Sequence, residues 1–168
     1  MKMVNTTTST IVVGLGEVRF SEGESDTLAC LGLGSCVAVC AYDPVAKVGG
    51  MAHIVLPNSS GREGQGTSPK YADVAVPFLL KGIQDMGAKA ARSIIKIAGG
   101  ARMSQALGME NAFNIGENNI VAVKAALAKE GLVPLRADVG GNRGRALRLY
   151  MESGITTVSG AGQEEREL

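Results

Sequence analysis

Leu31-Gly32-Leu33-Gly34-Ser35-Cys36-Val37-Ala38-Val39, followed at short range by Gly49-Gly50-Met51-Ala52-His53-Ile54-Val55-Leu56-Pro57, is the stretch that decides the fold. A glycine-rich run delivers a cysteine to the start of one apolar strand, and the one histidine of the chain arrives in the core of a second. Between them, Tyr42-Asp43-Pro44-Val45-Ala46-Lys47 carries turn chemistry, with Pro44 suited to the second position of a type I turn. Two β-rich runs around such a turn predict an antiparallel hairpin. A turn over residues 43–46 sets Cys36 directly opposite His53. A slip of two residues leaves them diagonal neighbours on one face, still within side-chain reach. A slip of one sends them to opposite faces.

A cysteine beside a histidine is the minimal thiol nucleophile: the imidazole lowers the thiol's pKa, takes its proton and later returns one to a leaving group. Gly32 and Gly34 let the backbone come close to a substrate, and N–H groups around Gly34 and Ser35 can be aimed at a developing oxyanion. The plainer reading stands beside this one. Free cysteine is among the most buried residues, and a lone histidine in an apolar strand is usually a satisfied core residue.

The 168 residues suffice for one domain with a real core, and the 45% hydrophobic content fits a folded globule. The net charge of +1 implies no nucleic-acid partner. With no Trp and few aromatics, the core is aliphatic. Three cysteines at residues 30, 36 and 40 with a single histidine suit neither a metal site nor a disulfide framework. The amino terminus lacks a signal-peptide core, and no run approaches the roughly 20 apolar residues of a membrane span, so a cytoplasmic protein is expected.

Residues 10–20 read as one β-branched strand interrupted by glycines. Residues 27–33 form a short strand leading into the Gly-Ser-Cys element. Residues 58–69 have pure loop composition, a surface loop or a lid beside the site. Helical spacing runs over residues 70–86, with Pro77 expected to kink that helix or fray its first turns and Gly87 to close it. A strand at 93–98 and an irregular segment at 104–113 follow. A second helix then starts near Asn114, a candidate cap, and ends at Gly131. Strand candidates at 132–139, 145–152 and 155–158 lead to a charged, loose tail at 160–168, matched by a loose leader at 1–9. Gly140-Gly141-Asn142-Arg143-Gly144-Arg145 lacks the strand–loop–helix setting of a phosphate-binding loop. Eight or nine strands and two helices that do not alternate strictly predict an α/β (α+β) layered sandwich of mixed sheets flanked by helices.

From about residue 12 to 158 the chain resembles the CheD family of chemoreceptor glutamine deamidases. The likeness is carried by LGLGSCVAVCAYDPVAKVGGMAHIVLP, the KYAD opening of the first helix, KIAGGARM, NIGENN and DVGGNRGR. It implies the fold of the cytotoxic necrotizing factor catalytic domain, with Cys36 as nucleophile and His53 as base. The family completes its site with a threonine six residues before the cysteine. Here that position is Cys30, a poorer hydrogen-bond partner, for which Thr27 or Ser35 would be the substitutes. Cys40 is taken as a packing residue. The resemblance further implies deamidation of glutamines on methyl-accepting chemotaxis receptors without metal or organic cofactor, membrane contact only through those receptors, and the CheC phosphatase as partner. A regulatory binding module acting on CheC and receptors with little catalysis is the alternative, and methyl-ester hydrolysis would use the same thioester chemistry.

Overall fold

The computed structural model describes residues 7–60, 67–103 and 114–168. In chain order the elements are β1 (Ser9–Val12), β2 (Val18–Ser21), β3 (Asp26–Leu33), β4 (Val37–Asp43), β5 (Val48–Ile54), α1 (Ala72–Asp85), a 3-10 turn (Ala90–Arg92), β6 (Ile94–Gly99), α2 (Ile115–Lys129), β7 (Arg136–Val139), β8 (Arg145–Tyr150), β9 (Thr156–Gly160) and β10 (Arg166–Glu167). They build two mixed sheets, ordered β1-β3-β8-β9-β10 and β2-β5-β4-β6-β7. The layered α+β sandwich expected from the sequence is the fold observed.

Alternation along β4 sorts its side chains into two cores. Ala38, Cys40 and Tyr42 meet Leu28, Cys30, Leu33, Leu147 and Leu149 between the sheets. Val37, Val39 and Ala41 face α1 and α2 with Leu79, Ile83, Val123 and Leu127. β4 is therefore covered on both faces, and all seven of its residues are buried. That is why it reads as a continuous apolar run.

The hairpin forms with a longer turn than its composition suggested. Asp43 pairs with Val48, leaving residues 44–47 as the loop, and Ala38, not Cys36, lies opposite His53. The cause is the Asp43 carboxylate. Its Oδ1 accepts the N–H of Val45 at 2.9 Å and of Ala46 at 3.2 Å. Lys47 then closes the loop at φ 53°, in the left-handed region.

Residues 10–20 are also two strands and not one. β1 pairs with β3 in one sheet and β2 with β5 in the other, so the glycine-bearing segment between them crosses the sandwich. The tail is not loose. β10 pairs with β9, the Leu168 N–H donates to the Thr156 carbonyl at 2.9 Å, and Lys96 Nζ donates to the Leu168 carbonyl at 2.5 Å. Burial of Lys96 is what requires a carbonyl there. Ser9 likewise belongs to β1, while residues 1–6 lie outside the described residues. So do residues 61–66 of the expected lid and the segment 104–113. α1 runs through Pro77 as one helix, and Asn114 occupies the cap position of α2 without a side-chain cap bond. No helix among the described residues is long and apolar enough to cross a membrane.

The turn carboxylate is an anchor as well as a spacer. Asp43 is fully buried, and both its oxygens accept Arg92 Nε at 2.8 Å while Oδ2 accepts the Lys89 N–H at 2.8 Å. Burial alone would raise its pKa. The Arg92 guanidinium and the three backbone N–H groups overcome that and hold it well below the usual carboxylate range. A depressed folded pKa gives stability that is present above the unfolded value, about 3.9, and is lost as pH falls toward the folded one. Asp43→Ala should cost about 3–5 kcal/mol in urea unfolding at pH 7, the usual loss when a buried ion pair loses one partner. Asp43→Asn should flatten the acid limb of the stability profile. Identical acid limbs for variant and parent would count against the anchor.

Candidate functional site

The segment Gly34-Ser35-Cys36 connects β3 of one sheet to β4 of the other. A register shift between Cys30 and Leu33, with Gly32 at φ 66°, turns the chain out of β3. Cys36 immediately precedes β4. Val37 points to the helices and Cys36 packs, partly exposed, against the inter-sheet core. Met51 of β5 faces the same inter-sheet core, and His53, two residues on, shares its face. The longer turn makes Cys36 and His53 diagonal neighbours on one face, the arrangement that a slip of two residues was expected to leave within reach.

His53 is only 3% exposed, and its ring is oriented by the chain that crosses between β1 and β2. Nδ1 lies 3.0 Å from the Val13 carbonyl. A carbonyl can only accept, so Nδ1 carries the proton and Nε2 is left with its lone pair. Nε2 is buried and has no partner among the described residues. The backbone is fixed on the same segment: Gly16 N–H donates to the His53 carbonyl at 2.9 Å, and the His53 N–H to the Glu17 carbonyl at 3.0 Å. Val13 is itself tied to β3 through its N–H and the Ala29 carbonyl, at 2.8 Å.

The cysteine loop is held by the glycine motifs downstream. Gly100 N–H donates to the Cys36 carbonyl and Ala101 N–H to the Gly34 carbonyl, both at 2.8 Å. Gly99, at φ 117°, lies so close that a Cβ there would sit 2.1 Å from the Cys36 oxygen. A Cβ on Gly116 would sit 2.6 Å from the carbonyl oxygens of Gly100 and Ala101, so α2 can start directly against this turn. Gly140 N–H in turn donates to Gly99 and Arg102 N–H to the Gly141 carbonyl. Arg145 donates to the carbonyls of Asp138 and Gly140. KIAGGARM holds the cysteine loop directly, and NIGENN and DVGGNRGR pack against and bond KIAGGARM in turn. A cleft of about 480 Å³ opens beside this junction, lined by Gly100, Arg102, Asn114, Glu117, Gly140 and Asn142.

Two contacts escaped the sequence reading. One is the Val13 carbonyl, which has no residue-type signature. The other is Asn119, fully buried, whose Nδ2 donates to the Ser35 and Val55 carbonyls, each at 2.9 Å. It had a signal: Asn119 interrupts the otherwise apolar stripe of Val123, Ala126 and Leu127 on α2.

Burial pushes the Cys36 thiol above its ordinary value, with a contact from its own backbone N–H pulling partly the other way. The lowering expected from the imidazole is therefore not the resting condition; burial sets the direction. Cys30 is fully buried in β3, and burial, reinforced by Cys40 and Cys36, pushes its thiol up strongly. Thr27 lies on the opposite face of β3 from Leu28 and Cys30 and cannot stand in for it. Ser35 meets Asn119 through its carbonyl. Gly34 lies under Met103, with a Cβ there meeting Met103 Cγ at 3.0 Å. Cys40 packs in the core with Sγ 3.5 Å from Thr156 Oγ1. Among the described residues no cluster of three or more His, Cys, Asp or Glu is arranged to hold a metal.

The family model described as CheD chemotactic sensory transduction matches residues 55–160. A Thermotoga maritima protein named chemoreceptor glutamine deamidase CheD is 45% identical over 155 residues, 92% of this chain and 94% of its own. A probable chemoreceptor glutamine deamidase CheD of Symbiobacterium thermophilum is 44% identical over 157 residues, 93% of this chain and 95% of its own. Its namesake in Archaeoglobus fulgidus is 37% identical over 152 residues, 89% and 92% respectively.

Two outcomes follow from the geometry. Iodoacetamide should label Cys36 alone in the folded protein, at a rate still climbing above pH 9, because the thiolate fraction of a raised thiol is small below that; a plateau already reached near neutral pH would contradict the raised thiol. Gly99→Ala should destabilise by about 1–3 kcal/mol, the cost of a strained left-handed residue, and slow Cys36 labelling as the Cys36 carbonyl is displaced. Unchanged melting and labelling would show that the turn can relax without moving the cysteine.

Proposed function

The chain belongs to the CheD family, and from that premise we propose that it deamidates glutamine side chains of methyl-accepting chemotaxis receptors to glutamate, with Cys36 as nucleophile and His53 as base. The observation that carries this reading is the division of labour on His53. Nδ1 is committed to the Val13 carbonyl, and the buried Nε2 is left unpartnered on the face it shares with Cys36. The names of the relatives supply the substrate class.

In this mechanism Nε2 takes the Cys36 proton as the sulfur attacks the side-chain amide carbon, so the thiolate is never an isolated buried charge. The N–H of Cys36, which reaches toward its own sulfur, and that of Ser35 hold the carbonyl oxygen as it gains charge. The imidazolium then protonates the amide nitrogen, and ammonia leaves a thioester. His53 next deprotonates a water that attacks the thioester, and the returning proton restores the thiol. The net change is one water consumed, one ammonia released and glutamine converted to glutamate. Cys30 takes the third position of the site as a neutral thiol, supporting the pair by packing in the inter-sheet core.

The test is mass spectrometry of a receptor cytoplasmic fragment incubated with the protein or with its Cys36→Ser form. An amide-to-acid mass shift at defined glutamines, seen only with the unmutated protein, is the expected result. A shift that survives Cys36→Ser would overturn the nucleophile. No shift, with binding to receptor or to CheC retained, would replace the enzyme by the regulatory binding module.

A further inference from the structure

The β4–β5 ladder ends at the pair Val37–Ile54, one residue short of Cys36. His53 is still in the ladder, opposite Ala38, but beyond the last pair the segments that carry Cys36 and Val55 have left it. The gap between them is spanned by one side chain. Asn119 of α2 donates from a single nitrogen, Nδ2, to the carbonyl of Ser35, the residue before Cys36, and to that of Val55, two residues after His53. We propose that Asn119 is a positioning residue for the reaction, a tether that sets the separation of the Cys36 sulfur from His53 Nε2; this rests on the assignment of that pair under Proposed function.

Three features favour a tether over simple packing. First, the contacted carbonyls flank the two reacting residues in sequence, and their own ladder partners are missing at the strand ends. Second, Asn119 is fully buried on an apolar helix stripe, and its Oδ1 has no partner among the described residues. A buried amide with one idle end is a costly way to fill space, and an aliphatic residue would fill it without that penalty. Third, the helix cannot drift. A Cβ on Gly116 would strike the carbonyls of Gly100 and Ala101, and the Gly100 N–H holds the Cys36 carbonyl. The amide is thereby delivered from a helix already locked to the far side of the cysteine loop. Both hydrogens of Nδ2 are used, so substituting Asp at this position turns two attractions into an oxygen facing two carbonyl oxygens.

Asn119→Asp and Asn119→Ala should lower kcat for receptor deamidation about 10²-fold, the scale of a displacement near 1 Å in a reacting pair, with KM changed less than about twofold. Alkylation of Cys36 by iodoacetamide should become slower, since the sulfur moves away from the imidazole that takes its proton. A folded variant with the parent's kcat and alkylation profile, or with a loss confined to melting temperature or KM, would overturn the tether. Should the variants not fold, the unmutated protein decides: the Asn119 side-chain 1H–15N pair should exchange slowly with solvent and shift when Cys36 is carboxamidomethylated. Fast exchange, or an unmoved signal, would overturn it equally. The resonance reads the tether without reference to activity, so its failure is distinct from a failure of the Cys36–His53 mechanism, which would appear as turnover by Cys36→Ser.

Discussion

The grip of the Val13 carbonyl on His53 Nδ1 is the contact on which this site turns. A neutral imidazole has one donor and one acceptor nitrogen, and an acceptor placed against one of them decides the role of the other. In a pocket where His53 is almost closed to water, leaving Nε2 without a partner costs on the order of 1–3 kcal/mol. Such an atom is tolerated only where surrounding structure over-determines it. Here it is over-determined by the crossing chain, which bonds the ring, the carbonyl and the N–H of one residue within the span from Val13 to Glu17. That chain in turn is anchored by β1 and β2 in opposite sheets. The two-sheet sandwich is thus what fixes the orientation of the His53 ring.

The thiol is organised by a different logic, close approach of backbone to backbone. Gly99, Gly100 and Gly116 each stand where a Cβ would overlap a neighbouring atom by more than ordinary contact allows. Their absence of side chain lets the end of β6, the start of α2 and the cysteine loop share one small volume. The loop before β8 closes the arrangement, Gly140 on Gly99 and Gly141 on Arg102. Carbonyls in the loop are consumed by these contacts, at Gly34, Ser35 and Cys36 alike. With those carbonyls engaged, the Cys36 N–H is left to contact its own sulfur.

Much of this was legible in the sequence, and the failures have physical causes. The hairpin, both helices and the shared face of Cys36 and His53 came from alternation and turn chemistry, which are local. The register came out two residues away because a side chain, Asp43, took over N–H groups that a tight turn would have left to the backbone. Residues 10–20 looked like one strand because β-branched composition marks strands without saying which sheet they join. The tail looked loose because its charge is visible and its partner is not. Lys96 is distant in sequence, and only the fold shows that it needs the Leu168 carbonyl. Val13 acts through a backbone oxygen and leaves no mark on composition, whereas Asn119 was visible as a polar residue on an apolar stripe.

The thiol that sequence logic expected to be acidified is instead raised by burial, and this follows from the same architecture. A thiolate at rest would place a charge where burial works against it. A thiol that burial keeps protonated avoids that cost. Burial raises the Cys40 thiol as well and the Cys30 thiol strongly, deeper in the core. Three thiols share one inter-sheet core, yet only Cys36 combines partial exposure, a glycine-shaped loop and a position on the face of His53. What singles it out is not an unusually acidic thiol but the presence, on its face, of an imidazole whose Nε2 has no partner among the described residues.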